Sequence, residues 1–134
     1  MKVISIIVVG KLKDKHLEEI EKSYLKRIPS LKIIEVKNEV DVLPKVKGDL
    51  YLLKEQGKLM DTPKFSQWLF NTLETSEFSL VIGGAAGHHE TILNKAKGSI
   101  SLSPLTFPHK LARIILVEQI YRAITLKEGH PYHK

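Results

Sequence analysis

Three short segments of the chain carry residue types that could bind a ligand or take part in chemistry. In the first, residues 80–87, an apolar stretch runs into Gly83, Gly84 and a third glycine at position 87. Glycines at such a turn allow a sharp bend and let a ligand approach the backbone amides closely. The segment lacks the GxGxxG spacing of dinucleotide-binding folds and the lysine of a P-loop, so it indicates neither site. A tight turn from strand to helix, without any ligand, is the alternative.

The second segment, residues 101–109, reads Ser-Leu-Ser-Pro-Leu-Thr-Phe-Pro-His and combines two prolines with three hydroxyl groups. The prolines exclude a helix and stiffen the chain. A stiff loop with apolar side chains and free backbone amides could hold a ring of the size of adenine. The alternative is a rigid connector that leads into the last helix.

The third segment is the C-terminal one, residues 129–134, which contains His130, Tyr132 and His133. These side chains could stack on RNA or hydrogen-bond to it, or they could belong to a frayed terminus. A metal site is not indicated, because no carboxylate or third ligand lies nearby in the sequence.

Other charged and imidazole side chains have simpler explanations. His88 and His89, at the start of a helix, are predicted to lie at the surface. Arg113 and Arg122 interrupt an apolar helix and are predicted either at exposed positions or facing a phosphate or a partner subunit. Glu118 precedes Arg122 by four residues, which is the spacing of an ion pair within one helix.

The hydrophobic pattern predicts the elements that must position these segments. Strands are predicted at 3–9, 31–36, 50–53, 78–82 and 100–102, and helices at 17–28, from Thr62-Pro63 to 73, at 88–97 and at 111–126. Residues 38–48 are predicted as a loop or a short helix. Alternating strands and helices indicate an α/β fold with a mainly parallel sheet. Ligands of such sheets bind beyond the carboxyl ends of the strands, so the loops after Val9, Leu53, Ile82 and Leu102 are the relevant ones.

Composition limits the class of protein. The chain has 134 residues, 43% of them apolar, which predicts a single domain over residues 1–134. It has no cysteine, no apolar run of membrane-spanning length and no signal-peptide pattern, so we expect a cytoplasmic protein without membrane contact. The net charge is +6, made up of +4 over residues 1–48, −3 over 49–91 and +5 over 92–134. Basic ends of this kind are compatible with a polyanionic partner and equally with a solvated basic surface.

Taken together, the segments resemble one family. A strand running into Ile82-Gly83-Gly84 is followed by SLSPLTFPH, by a helix that carries a set of polar and aromatic residues, and by HPYHK at the end. The helix residues concerned are Arg113, Glu118, Gln119, Tyr121, Arg122 and Ala123. This order resembles the bacterial ribosomal RNA large subunit methyltransferase H family of the SPOUT class, most specifically from residue 78 onward.

The resemblance implies a fold and an activity. The fold would be a mainly parallel α/β sheet flanked by helices, with a C-terminal trefoil knot, which is rare among protein topologies. The chain would be a homodimer without a metal that uses S-adenosylmethionine. It would methylate N3 of a pseudouridine, position 1915 in the family's name, in 23S ribosomal RNA, either free or in the assembled ribosome, and so take part in rRNA processing.

The resemblance also assigns residues to the cofactor, namely Leu53, Gly83, Gly84, Leu102, Ser103, Pro104, Leu105, Thr106 and Phe107. N3 of pseudouridine is weakly acidic, so methyl transfer needs a group that accepts its proton. The candidates for this catalytic role are His109, Arg122, His130, Tyr132 and His133, and the sequence does not choose among them. A non-catalytic RNA-binding module is the alternative function, and failure to bind the cofactor would favour it.

Overall fold

The computed structural model describes residues 2–84 and 87–133. Within them lie five strands, four α-helices and two short 3-10 turns. In chain order these are β1 (Ile4–Val9), α1 (Lys15–Leu25), β2 (Leu31–Val36), the 3-10 turns Glu39–Asp41 and Leu43–Lys45, β3 (Asp49–Leu59), α2 (Thr62–Thr75), β4 (Phe78–Ile82), α3 (Glu90–Lys95), β5 (Gly98–Ser101) and α4 (His109–Glu128). None of these helices is long and apolar enough to cross a membrane.

All five strands are parallel and form one sheet in the order β2-β1-β4-β3-β5. The central strands β1 and β4 are apolar apart from one buried serine each and are almost wholly buried, as strands covered on both faces must be. Ile6 and Leu80 face a core shared with α2 and α4, whereas Ile7 and Val81 face a second core shared with Ile92 of α3. The predicted α/β class with a parallel sheet and flanking helices is therefore confirmed.

Strand β3 is longer than predicted because it continues past an irregularity. Its pairing with β5 shifts register between Leu53 and Lys58, so residues 54–57 bulge out at the carboxyl edge of the sheet. A Cβ atom on Gly57 would lie 2.6 Å from the carbonyl carbon of Ile100, so only glycine allows the chain to rejoin β5 there. The bulge places polar residues directly after the regular part of the strand.

Two local predictions need correction. A threonine directly before a proline predicts Thr62 as the cap of α2. The structure shows Asp61 as the cap: its carboxylate accepts a hydrogen bond from the Lys64 amide, while the Thr62 hydroxyl donates to Gln119. The helical spacing of Leu17, Ile20, Tyr24 and Ile28 predicts one apolar face of α1. In the structure Ile20 is 44% exposed, and Glu21 is buried instead. The reason is an ion pair between Glu21 and α4 that determines which side of α1 faces inward.

Candidate functional site

A cavity of ≈ 320 Å³ opens at the carboxyl edge of the sheet, between the bulge of β3, the loops that follow β4 and β5, and the first turn of α4. Because β4 and β3 are neighbours and β5 flanks β3, the bulge and the two loops meet at one place. The volume falls in the range of roughly 300–1,000 Å³ that is usual for small-ligand sites. The fold thus forms a site where parallel sheets commonly bind ligands.

Most of the residues expected around a cofactor line this cavity. They are Leu53, Gly83, Gly84, Leu102, Ser103, Leu105 and Phe107. Pro104 and Thr106 belong to the same loop but are not among the lining residues. The Thr106 hydroxyl instead donates to the Glu55 carboxylate at 3.0 Å, which ties the loop after β5 to the bulge of β3.

Gly83 is the sterically critical residue of the glycine turn. A Cβ atom there would lie 2.7 Å from the carbonyl oxygen of Gly87, closer than real Cβ contacts allow. A Cβ atom on Gly84 would lie 3.6 Å from Val9 Cγ1, which is an ordinary contact. The turn closes where the Gly87 amide donates to the Gly84 carbonyl at 2.9 Å, while residues 85 and 86 lie outside the described part of the chain.

Serine hydroxyls hold the shape of the loop after β5. The Ser101 hydroxyl donates to the Ser103 carbonyl at 2.9 Å, and the Leu105 amide donates to the Ser103 hydroxyl at 3.0 Å. These bonds, together with two prolines, leave the loop little freedom. Leu105 is 69% exposed at the mouth of the cavity, where a bound ligand would cover it.

His88 is partly buried and lines the cavity, so the prediction that it lies at the surface is wrong. Its Nε2 is 2.9 Å from the carbonyl oxygen of Leu53. A carbonyl only accepts, so Nε2 carries the proton, and Nδ1 is a buried acceptor with no partner in the described residues. His89 is exposed, as predicted, and caps α3 by accepting from the Thr91 amide.

The remaining predicted residues fall into two groups. His109 begins α4 and lines the cavity. Arg122, Tyr132 and His133 instead meet around Glu118 on α4, in an arrangement we call the C-terminal cluster. Arg122 lies ten residues beyond the cavity-lining Ala112, or about 15 Å along the helix axis. His130 is exposed and accepts a hydrogen bond from the Tyr132 amide.

Glu118 is the centre of the C-terminal cluster. Its carboxylate accepts hydrogen bonds from Arg122 at 2.6 Å, from the Tyr132 hydroxyl at 2.7 Å and from Gln119 at 2.8 Å. Burial alone would raise the pKa of Glu118, but the bonds from Arg122 and Tyr132 outweigh it and hold the pKa below its ordinary value. The intrahelical pair of Glu118 and Arg122 is confirmed.

Arg122 and Tyr132 are both held in their protonated forms. The hydrogen bond to Glu118 raises the pKa of Arg122. Burial, with the hydrogen bonds to Tyr24 and Glu118, raises the pKa of Tyr132. The Tyr132 ring packs edge-on against Tyr121 and beneath the Arg122 guanidinium, so the end of the chain is fastened to α4.

Arg113 differs from both predicted alternatives. It is 5% exposed and donates to Glu21 at 2.7 Å through two nitrogens and to Glu35 at 2.6 Å. Burial would lower the pKa of Arg113, but the hydrogen bonds to the two carboxylates outweigh it and raise the pKa. Arg113 therefore joins α4, α1 and β2 from within.

The cavity is also lined by Lys54, Glu55 and Gln56, which lie in the segment after Leu53 that the sequence predicts to be relevant, and by Leu93, which the sequence did not single out. The first three belong to the bulge of β3, whose presence depends on the tertiary contact at Gly57. Among the described residues, no group of three or more His, Cys, Asp or Glu side chains could hold a metal ion.

Comparison with a family model and with individual proteins gives the same family over nearly the whole chain. The model of a family described as "Predicted SPOUT methyltransferase" matches residues 1–133. A protein of Prochlorococcus marinus (strain MIT 9515), named ribosomal RNA large subunit methyltransferase H, is 41% identical over 98% of this chain and 95% of its own length. A protein of the same name from Acholeplasma laidlawii is 35% identical over 98% of this chain and 99% of its own length.

Two solved structures share the fold. TrmJ from Z. mobilis ZM4 superposes with a TM-score of 0.58 at 8% identity, covering 93% of this chain and 70% of its own. A probable methylase family protein from Haemophilus influenzae Rd KW20 superposes with a TM-score of 0.55 at 10% identity, covering 96% and 67%. At such low identity these likenesses concern the fold alone.

Proposed function

The chain belongs to the SPOUT methyltransferase family, and from that premise we propose that it transfers a methyl group from S-adenosylmethionine to 23S ribosomal RNA. The family match over residues 1–133 carries this proposal. The name shared by relatives that align over nearly their whole length supports ribosomal RNA as substrate. It also supports a place for the reaction in rRNA processing.

The residues of the cavity fit the cofactor. Leu53, Leu102 and Phe107 offer an apolar wall to an adenine ring, and Gly83 lets a ligand approach the backbone. Nδ1 of His88, which has no hydrogen-bond partner among the described residues, adds a buried acceptor. S-adenosylmethionine supplies an electrophilic methyl group on a positively charged sulfur. The role of the loops is to hold that group in position, since correct placement provides much of the rate enhancement in such a transfer.

The target atom we infer is N3 of a pseudouridine, at position 1915 in the family's numbering. Its proton must be accepted by a group of the enzyme or by solvent. The raised pKa values of Arg122 and Tyr132 make both poor proton acceptors. The Tyr132 hydroxyl already donates its one proton to Glu118, whereas the Arg122 guanidinium has several N–H groups and is suited to donate hydrogen bonds to RNA. The imidazoles of His109, His130 and His133 remain as candidates for the acceptor.

We further infer a homodimer in the cytoplasm. Leu111 on α4 is 44% exposed, and Ile114, Ile115 and Ile124 are only partly buried, so this helix presents more apolar surface than one sheet covers. A two-fold mate packed on α4 would cover it. Sedimentation at micromolar concentration should give about twice 15.2 kDa, and a monomer at that concentration would contradict the dimer.

We also expect the C-terminal trefoil knot of the family.

Methyl transfer itself is the decisive experiment. Ribosomes that lack the modification should accept a radiolabelled methyl group from S-adenosylmethionine, and digestion should locate it on N3 of one pseudouridine. Calorimetry should show cofactor binding in the micromolar range, about −8 kcal/mol. A protein that binds RNA but neither binds the cofactor nor transfers a methyl group would be the RNA-binding module.

A further inference from the structure

One group of lysines lies at the same edge of the sheet as the cofactor cavity but outside its lining. After β1 ends at Val9, the chain carries Lys11, Lys13 and Lys15, all exposed, with Leu12 buried between the first two. We call these three lysines the basic ridge. The strand end from which the ridge continues adjoins the glycine turn, because Val9 Cγ1 lies 3.6 Å from the Cβ position of Gly84.

The backbone of the ridge is firmly anchored. The Gly10 amide donates to the Val36 carbonyl at 2.8 Å, and the Leu12 amide donates to Glu35 Oε2 at 3.3 Å. The same Glu35 oxygen accepts from the buried Arg113. The ion pairs of Arg113 thus extend to the backbone of the ridge at Leu12 and hold it in place at this edge of the sheet.

The conformation of Lys13 is unusual. Its φ angle is +50°, in the left-handed region that residues other than glycine rarely adopt. The turn keeps Lys13 at the surface while Leu12 points inward. Residues held in this region often belong to functional sites.

The ridge keeps its positive charge unpaired. In the described part of the chain, none of its three ammonium groups forms an ion pair. The neighbouring carboxylate, Asp14, instead accepts from the amides of His16 and Leu17 at the start of α1. Glu18 and Glu19, within one turn of Lys15 on α1, form no ion pair with it among the described residues.

We propose that Lys11, Lys13 and Lys15 bind phosphates of the ribosomal RNA that flanks the target nucleotide. This inference rests on the proposed function, since it assumes that RNA approaches the cofactor cavity. Lysine ammonium groups form sequence-independent contacts with phosphates, and such contacts set register and orientation. A ridge at this edge would orient the RNA while the cavity and the C-terminal cluster act on the base.

The test replaces all three lysines by glutamine and measures binding to ribosomes lacking the modification at several salt concentrations. We expect affinity to fall by about 10- to 100-fold at physiological salt, and the salt slope to fall by about 2 to 3. Cofactor affinity measured by calorimetry should stay within about twofold, because the ridge does not line the cavity.

A matched control removes the same charge from the opposite edge. Lys26, Lys45 and Lys47 are exposed, form no ion pair within residues 2–84 and 87–133, and lie near the amino ends of β2 and β3. Their triple glutamine variant should bind ribosomes nearly as the wild type does. An equal loss in both variants would overturn the proposal in favour of a general charge effect.

The outcomes separate this inference from the proposed function. If the wild type transfers methyl groups and the ridge variant binds ribosomes with unchanged affinity and salt slope, only the ridge assignment fails. If the wild type transfers none, the proposed function fails and the ridge assignment fails with it. A loss confined to the ridge variant, with cofactor binding intact, supports the assignment.

Discussion

Gly83 is the residue of the glycine turn whose replacement the structure tolerates least, because a Cβ atom would meet the Gly87 carbonyl at 2.7 Å. We predict that Gly83→Ala distorts the turn and lowers cofactor affinity by at least about tenfold, or 1.4 kcal/mol. Gly84→Ala, with an ordinary contact to Val9, should bind within about threefold of the wild type. Calorimetry on both folded variants tests this, and equal affinities would contradict it.

His88 is the second residue on which the cavity depends. In His88→Leu the Leu53 carbonyl loses its donor, and an unpaired buried acceptor costs about 1–3 kcal/mol. We predict cofactor binding about tenfold weaker, whereas His88→Gln, whose amide can still donate, should retain most of the affinity. If both variants bind equally well, the bond between His88 and Leu53 has no part in shaping the site.

The sequence predicted a role in ligand binding for Gly83 and for the loop after β5, because each lies in a segment with a recognisable local pattern. The pattern is repeated glycine at the turn and a pair of prolines in the loop. The sequence did not indicate that His88 lines the cavity, because nothing in the neighbouring residues distinguishes a cavity-lining histidine from an exposed one. The burial of Arg113 and its ion pairs were not predicted for the same reason. Its partners Glu21 and Glu35 lie 92 and 78 residues away, and only the packed fold brings them together.

At the scale of elements, the ion pairs of Arg113 connect α4 to α1 and β2. Arg113→Met leaves the buried Glu21 carboxylate without a partner, and we predict a loss of about 3–5 kcal/mol in the free energy of unfolding. Arg113→Met combined with Glu21→Leu should recover most of it, because apolar residues of similar size often replace buried ion pairs without loss. Urea denaturation measures both, and a single variant as stable as the wild type would contradict the prediction.

The C-terminal cluster makes the attachment of the chain end dependent on pH. The pKa of Glu118 lies below its ordinary value of 4.5 in the folded state, so its contribution to stability is present above that value and is lost as the pH falls through the folded-state pKa. We predict that Glu118→Gln destabilises the protein at pH 7 and that the difference from the wild type shrinks steadily below about pH 4.5. A difference independent of pH would show that the Glu118 charge contributes nothing.

For the whole molecule, the alternation of strands and helices was enough to predict a parallel α/β sheet, and the order of motifs was enough to recognise the family. The strand order was not predictable from these patterns, because β3 lies between β4 and β5 only through contacts distant in sequence. The bulge of β3 depends in the same way on the approach of Gly57 to Ile100.

The separation of cavity and C-terminal cluster leads to a prediction about the assembly. Both should be needed at one target nucleotide, yet within one chain Arg122 of the cluster lies about 15 Å along α4 from Ala112 at the cavity. A two-fold mate packed on α4 can bring its own cluster to the cavity of the first chain. Removal of residues 130–134 should then abolish methyl transfer while leaving cofactor affinity within about threefold.

Mixed dimers decide whether the two parts act across subunits. A Gly83→Val chain lacks a working cavity, and a chain without residues 130–134 lacks the cluster, so each alone should be inactive. After subunit exchange at equal concentration, half of the dimers are mixed, and each contains one cavity facing one intact cluster. Methyl transfer should therefore return to about a quarter of the wild-type rate. If cavity and cluster serve the same nucleotide within one chain, no mixed dimer contains a complete site, and the mixture stays inactive.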